Sequence, residues 1–176
     1  MNPVRVRGPL CRVMQARGRR IVLRAGTRRE VLHVACAGAD ASVAEHRLIP
    51  DIASPRHDAR AARQYWARAI ASPRKRLFVA VCGNELLGAI GVDLIVSRHR
   101  MAHVRRRIYL HSLFIDPSAR RLGLARRLTR LALDWGRGRG ATQARLEMAA
   151  PNRSARRLYE SVGFHVREMM FARPLE

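Results

Sequence analysis

The spacing of apolar residues changes several times along the chain, and each change marks an element. The run IVLRAG at residues 21–26 predicts a short strand. Thr27 with Glu30 three positions later is a capping-box pattern that opens a helix, read to about residue 38. From Gly38 to Pro55 the chain mixes Gly, Ala, Asp and Ser with two prolines, which predicts a loop with room for a short helix near residues 43–48. Residues 57–71, HDARAARQYWARAIA, place Ala62, Tyr65, Trp66, Ala69 and Ile70 at helical spacing. Strands follow at 77–82 and 86–96, joined by a turn at Gly83 and Asn84. Together LFVAVCGNELLGAIGVDLIV has the length of a membrane span, but Asn84, Glu85 and Asp93 interrupt it. A basic connection, SRHRMAHVRRR at 97–107, leads to the strand IYLHSLFI at 108–115.

Asp116 and Pro117 close that strand. Leu124, Leu128, Leu131 and Trp135 then fall at i, i+4, i+7 and i+11, one apolar stripe on a helix that begins beside Gly123. The string GRGRG at 136–140 looks like an RNA-binding motif, yet its place after a helix makes it a C-terminal turn. ARLEMAA (144–150) predicts a strand, NRSARRLYESVGF (152–164) a helix ending in glycine, and HVREMMFARPL (165–175) a final strand. No repeat or second domain is visible, so one domain is expected over 21–176. The basic arm before it, 1–20, carries six arginines and no acid. It lacks the apolar core of a secretory signal, and the expectation is a flexible tail or a true start nearer Met14.

Composition changes this picture in two ways. The chain has 35 basic and 13 acidic residues, a formal net charge of +22, and all the basic residues but Lys75 are arginine. Such a ratio is expected from a GC-rich genome as well as from a binding surface, but the field attracts anions either way, nucleic acid included. Cys11, Cys36 and Cys82 are widely spaced and odd in number, which predicts no disulfide framework, no metal site and a cytoplasmic setting.

Between strand and helix, Pro117, Arg120, Gly123 and Ala125 make the string P-x-x-R-x-x-G-x-A. A helix N-terminus leaves backbone N–H groups unpaired and carries partial positive charge; a glycine and a small residue there let a phosphate approach. Followed by a helix, a strand and then N-R-S-A-R-R-L-Y-E-S-V-G-F, the string resembles the Gcn5-related N-acetyltransferase (GNAT) superfamily, specifically from about Ile108 to Phe164. The resemblance implies an α/β (α+β) fold: a mixed, mostly antiparallel sheet of six or seven strands, flanked by about four helices and splayed between the fourth and fifth strands. It also implies acetyl-CoA as acetyl donor and an amine of a small molecule or protein as acceptor, attacked directly, with no membrane partner and a homodimer allowed for.

By the same resemblance, Arg120, Arg121, Leu122, Gly123, Leu124, Ala125 and Arg126 hold the cofactor pyrophosphate, chiefly through main-chain N–H groups. The backbone of Leu113, Phe114 and Ile115 pairs with the pantetheine arm. Asn152 contacts the cofactor, caps the following helix, or both. Tyr159 stands where many members carry a tyrosine that protonates the departing thiolate; its other reading is a packed tyrosine beside Leu158 and Val162.

The base is less defined, because the strand where many members place a glutamate has none. Tyr109 and His111 share one face of that strand by its period of two. Histidine titrates near neutrality, so His111 is the first choice, Glu147 the second and Asp93 the third. Two other readings stand beside this one. In the first, a peptide N-terminus, such as that of a ribosomal protein, is the acceptor. In the second, the fold is only a scaffold for nucleic-acid binding, against which stands an aromatic content of 5%, leaving few stacking platforms.

Overall fold

The computed structural model describes residues 10–49, 58–99 and 103–171. Arg17 and Gly18 both take left-handed backbone, with φ of 48° and 70°. That geometry makes a two-residue hairpin turn whose twist matches its strands. Around it β1 (Arg12–Ala16) pairs antiparallel with β2 (Arg19–Ala25). The flexible arm expected over 1–20 is therefore sheet from Arg12 onward, and residues 1–9 lie outside the described residues. The arginine-rich composition concealed the strand: Leu10, Met14 and Ala16 pack against the core, and Arg12, the one basic residue between them, shares their side and pairs with Asp134.

Thr27 and Glu30 act as the capping pattern predicts. The Glu30 carboxylate accepts from the Thr27 N–H at 2.7 Å and from the Thr27 hydroxyl at 2.7 Å, and Arg24 Nη2 donates to it at 2.7 Å. The helix they open, α1 (Arg28–His46), does not stop near residue 38. Alanine dominates the stretch beyond, and the roughly 1 kcal/mol penalty of Gly38 is too small to break an otherwise favourable run. Helix α2 (Ala59–Ala71) is capped by Asp58, whose carboxylate accepts from the Ala61 N–H at 2.9 Å.

Strands β3 (Lys75–Cys82), β4 (Glu85–Val96) and β5 (Arg106–Ile115) continue the sheet antiparallel, and β6 (Gln143–Arg145) adds to β5 in parallel. The order is β1-β2-β3-β4-β5-β6, a six-stranded, mostly antiparallel sheet. On one face lies α3 (Leu124–Gly138), whose Leu124, Leu128, Leu131 and Trp135 meet Phe78, Ile90, Val92, Ile108 and Leu110. On the other, Val31 and Val34 of α1 and Trp66 and Ala69 of α2 cover Leu77, Val79 and Ala89. Helix α4 (Arg153–Glu160) follows β6. Gly136 and Gly138, expected in a turn, lie inside α3; a side chain at Gly136 would strike Ile108, and the left-handed residue that follows the helix is Gly140.

Two expected strands shorten or vanish. The parallel ladder covers only Arg107–Tyr109 against Gln143–Arg145, so the strand read over 144–150 ends at Arg145 while β5 runs on to Ile115. The splay of the sheet was expected between these same two strands. Residues 165–171 form no regular structure, and Met169, Met170 and Phe171 are exposed; residues 172–176 lie outside the described residues. In both places the sequence alternates correctly, but alternation sets only which side chains face the core. A strand also needs a ladder partner.

Burial pushes the Glu30 carboxyl up, but the bonds from Arg24 and Thr27 outweigh it and bring it down to about 2, well below its ordinary 4.5. A depressed carboxyl stabilises the fold above its unfolded pKa and loses that contribution as pH falls through the folded value. The protein should therefore lose on the order of 2 kcal/mol between pH 4.5 and 2 from this group alone. Acid titration of Glu30→Gln, followed by circular dichroism, should show lower stability at neutral pH and a shallower acid limb.

Candidate active site

The site is organised by β5. Gly91 of β4 pairs with His111 and Ala89 with Phe114, so two steps on β4 face three on β5. The extra residue is Ser112, with left-handed backbone at φ 52°. This bulge reverses the alternation of the strand. Before it, Ile108 and Leu110 face α3 while Tyr109 and His111 face α2; after it, Leu113 and Ile115 turn to the α3 side and Phe114 to the other.

Beyond β5, Asp116 caps one turn of 3₁₀ helix (Pro117–Ala119), and buried Ala119 anchors that turn in the core. Arg120 is extended and its Nε reaches the Ile115 carbonyl at 3.4 Å. Arg121 and Gly123 are left-handed, at φ 62° and 74°. No side chain caps α3; its first helical bond is Arg127 N–H to the Gly123 carbonyl at 3.1 Å. The N–H groups of Leu124, Ala125 and Arg126 are thus left without helical partners. A side chain at Gly123 would meet nothing within 4 Å, so this glycine serves the backbone angle and leaves its outer side open.

These groups line a cleft of about 770 Å³. Of the residues read as cofactor-binding, Ile115 and Arg120 through Arg126 line it, whereas Leu113, Phe114, Asn152 and Tyr159 do not. Sequence reasoning missed Arg12, Arg127 and Arg130, and also Ser154, Arg157, Leu158 and Ser161 of the α4 segment. The last four fall at i, i+3, i+4 and i+7, a face that could have been read from the sequence; Arg12 is brought in by the hairpin and by its ion pair with Asp134 of α3. Seven arginines and no acid border the cleft, which favours a multiply charged anion.

Asn152 caps α4: its Oδ1 accepts from the Ala155 N–H at 3.0 Å and from the Ser154 hydroxyl at 2.9 Å. Tyr159 packs edge-on against Phe164 with ring centroids 5.8 Å apart, and burial alone pushes its hydroxyl up to about 12. It therefore stays protonated throughout the neutral range.

On the α2 side of the sheet, His111 belongs to a polar cluster. Its Nε2 lies 3.3 Å from Asp93 Oδ1 and 3.4 Å from the Tyr65 hydroxyl, and its Nδ1 lies 3.1 Å from Ser112 Oγ. Lys75 donates to Asp93 Oδ2 at 2.5 Å and to the Tyr65 hydroxyl at 3.2 Å. Trp66 stacks on one side of the imidazole at 5.6 Å and Tyr109 is stacked near it at 6.2 Å. Burial pushes the Asp93 carboxyl up, but hydrogen bonds from His111 and Lys75 outweigh it and hold it below its ordinary value. Burial raises the Tyr65 phenol. The sequence singled out His111 and Asp93 and gave no signal for Tyr65 or Lys75 as their partners. Glu147 lies two residues past β6, is exposed and makes none of these bonds. Among the described residues, no group of three or more His, Cys, Asp or Glu could hold a metal ion, and no helix is long and apolar enough to cross a membrane.

Comparison with known proteins agrees with this geometry. N-alpha-acetyltransferase RimI of Mycobacterium tuberculosis is 35% identical over 97 residues, 55% of this chain and 56% of that protein. N-acetyltransferase 8 of Homo sapiens is 34% identical over 79 residues, 45% of this chain and 32% of that protein. The chain thus spans about half the length of one relative and about a third of the other. Among solved structures, the aminoglycoside N-acetyltransferase AAC(6')-Iy in complex with CoA superposes with a TM-score of 0.69 at 17% identity, over 92% of this chain and 99% of that one. The acetyltransferase (GNAT) family model matches residues 43–164, which include both the cleft turn and the His111 strand. With that match covering most of its length, the chain belongs to the GNAT acetyltransferase family.

Proposed function

We propose that this chain is an acetyl-CoA-dependent N-acetyltransferase that moves the acetyl group to a primary amine by direct attack on the thioester. The observation that carries the reading is the open N-terminus of α3, where left-handed Arg121 and Gly123 leave N–H groups facing a cleft bordered by arginine alone among charged residues. A pyrophosphate there gains backbone donors, the helix dipole and guanidinium partners together. Main-chain groups of Arg120 through Arg126 would hold it, with Arg12, Arg130 and Arg157 as further counter-charges. The reach of β5 past its ladder with β6 leaves the backbone of Leu113, Phe114 and Ile115 to pair with the pantetheine arm. Asn152, although engaged as a cap, keeps its amide N–H₂ for the cofactor.

Tyr159 is the proton donor for the departing thiolate. A phenol raised to about 12 by burial is fully protonated at neutral pH, and it stabilises negative charge developing on the sulfur. His111 is the base of the reading, and Glu147, outside its cluster, is the weaker choice. The likeness to RimI favours a peptide N-terminus as acceptor. The setting is read as cytoplasmic, with a homodimer allowed and with non-specific polyanion binding as a consequence of the +22 charge.

Calorimetric titration with acetyl-CoA at moderate salt, with ATP and desulfo-CoA as controls, tests the cofactor. Salt is needed because any polyanion binds a protein this basic in dilute buffer. One-site binding much tighter than ATP is the expected result; binding no tighter than ATP would overturn the reading and make nucleic acid the next partner to test. Gly123→Glu should weaken acetyl-CoA by about 100-fold, because it sets a carboxylate against the pyrophosphate. Gly123→Ala, which adds only backbone strain of roughly 1 kcal/mol, should weaken it far less.

Tyr159→Phe should lower kcat by about 10- to 100-fold in a CoA-release assay with a free-N-terminus peptide. Its acetyl-CoA affinity should stay within about twofold of wild type, since only the proton donor is lost.

A further inference from the structure

His111 is well placed for a base and badly placed to touch an acceptor. Its Nε2 faces Asp93 and Tyr65, Trp66 stacks on one side with Tyr109 near it, and its Cε1 edge lies against Gly91 so closely that an added Cβ would sit 2.4 Å away. The side chain is only 19% exposed. Nδ1, on that same edge, lies 3.1 Å from Ser112 Oγ. Ser112 itself is exposed. Neighbouring strand residues normally project to opposite faces. These two meet because Ser112 has left-handed backbone, a conformation that disfavours any residue with a side chain and that is found concentrated where function needs it.

Asp93 decides which nitrogen is basic. Lys75 at 2.5 Å keeps the carboxylate ionised, and an ionised carboxylate only accepts hydrogen bonds. The Nε2–Asp93 contact is a hydrogen bond when Nε2 carries the imidazole proton, and that tautomer leaves the lone pair on Nδ1 to accept from the Ser112 hydroxyl. Lys75 is the single lysine in a chain with 34 arginines. A compact ammonium can be shared between Asp93 and the Tyr65 hydroxyl, whereas a planar guanidinium of greater span would displace one of them.

We propose that Ser112, His111 and Asp93 form a proton relay for the acceptor amine, in which Ser112 is the catalytic residue that touches the amine and Asp93, held by Lys75 and Tyr65, positions His111. The proposal rests on the acetyl-transfer reading above. As the amine nitrogen bonds to the thioester carbonyl carbon, its N–H proton passes to Ser112 Oγ while the Oγ proton passes to His111 Nδ1. The imidazolium is stabilised by Asp93. The C–S bond then breaks, its electron pair leaves with sulfur, and sulfur takes a proton from Tyr159. Solvent restores the phenol and removes the imidazolium proton. Ser112 forms no bond to carbon at any step.

Two measurements test the relay. Nitrogen NMR of histidine-labelled protein, with His111→Asn to assign the signals, should show a protonated Nε2 and a bare Nδ1 in the neutral imidazole. Asp93→Asn should mix the tautomers. A main tautomer protonated at Nδ1 would overturn the proposal without reference to activity. In the second test, Ser112→Gly removes the hydroxyl and suits φ of 52°, so its thermal midpoint should not fall. Its kcat with acetyl-CoA and a free-N-terminus peptide should drop by about a hundredfold, with KM for acetyl-CoA within about twofold. An unchanged kcat would overturn the relay. So would an acetyl group found on Ser112 after incubation with acetyl-CoA alone, which would make Ser112 a nucleophile. Acetyl-CoA affinity measured on the same samples separates the two readings, because failure of the cofactor cleft abolishes it and failure of the relay leaves it intact.

Discussion

One extra residue in β5 sets the arrangement of everything around the site. The bulge at Ser112 changes the side to which the strand's side chains point, so the same strand fills the α3 core with Ile108 and Leu110 before it and with Leu113 and Ile115 after it. A regular strand would aim Leu113 and Ile115 away from α3 and would separate His111 from Ser112. The left-handed angle at Ser112 carries a strain of about 1 kcal/mol or more, small beside the burial of several apolar side chains that it permits. Just past the bulge the strand ends at Ile115, and in the 3₁₀ turn that follows buried Ala119 fixes where α3 begins.

The two charged regions of the site follow opposite electrostatic rules. Around the α3 N-terminus, arginines gather without acidic partners inside the cleft, a state that is tolerable only because they are largely solvated and are poised for an anion. Around His111 the charges are few and paired: one lysine, one aspartate, and neutral hydroxyl groups between them. Here solvent is partly excluded, and an unpaired charge would be penalised heavily. The lone lysine of the chain stands in the second region and none in the first. At position 75 the compact ammonium is shared between Asp93 and the Tyr65 hydroxyl.

The sequence made the periodic parts of this molecule legible. The stripe Leu124, Leu128, Leu131 and Trp135 defined α3 and its buried face, and the Thr27–Glu30 pattern marked the start of α1, because both signals are local. What it hid depends on partners distant in the chain. The β1 strand is specified by the Arg17–Gly18 turn and by Met14 and Ala16 against the core, a weak pattern under six arginines. The ends of β6 and the absence of a regular strand at 165–171 were set by where a ladder partner stops. In the site, the open turn at Gly123 was readable because an uncapped helix start is a local feature. Tyr65 and Lys75 come from α2 and β3, and only the fold brings them to a histidine on β5. The period-two pattern of β5 gave no sign of the bulge, which brings Ser112 beside His111.

In the proposed reaction the work is divided between the two faces of one sheet, with β5 as the shared element. The anion cleft forms where β5 runs out toward α3, and the proton-handling cluster forms where the same strand lies under α2. On that reading, binding energy gained at a pyrophosphate would orient a thioester along β5 without placing arginine beside the attacking amine, where extra positive charge would favour the free amine but repel an ammonium substrate on approach. Keeping the two apart needs a rigid connector between them. A one-residue slip of β5 would move His111 away from Asp93 and turn Leu113 and Ile115 out of the core in the same step. Fold stability and the acid–base site thus depend on the same register, and the packing of the α3 core enforces the geometry that the chemistry requires.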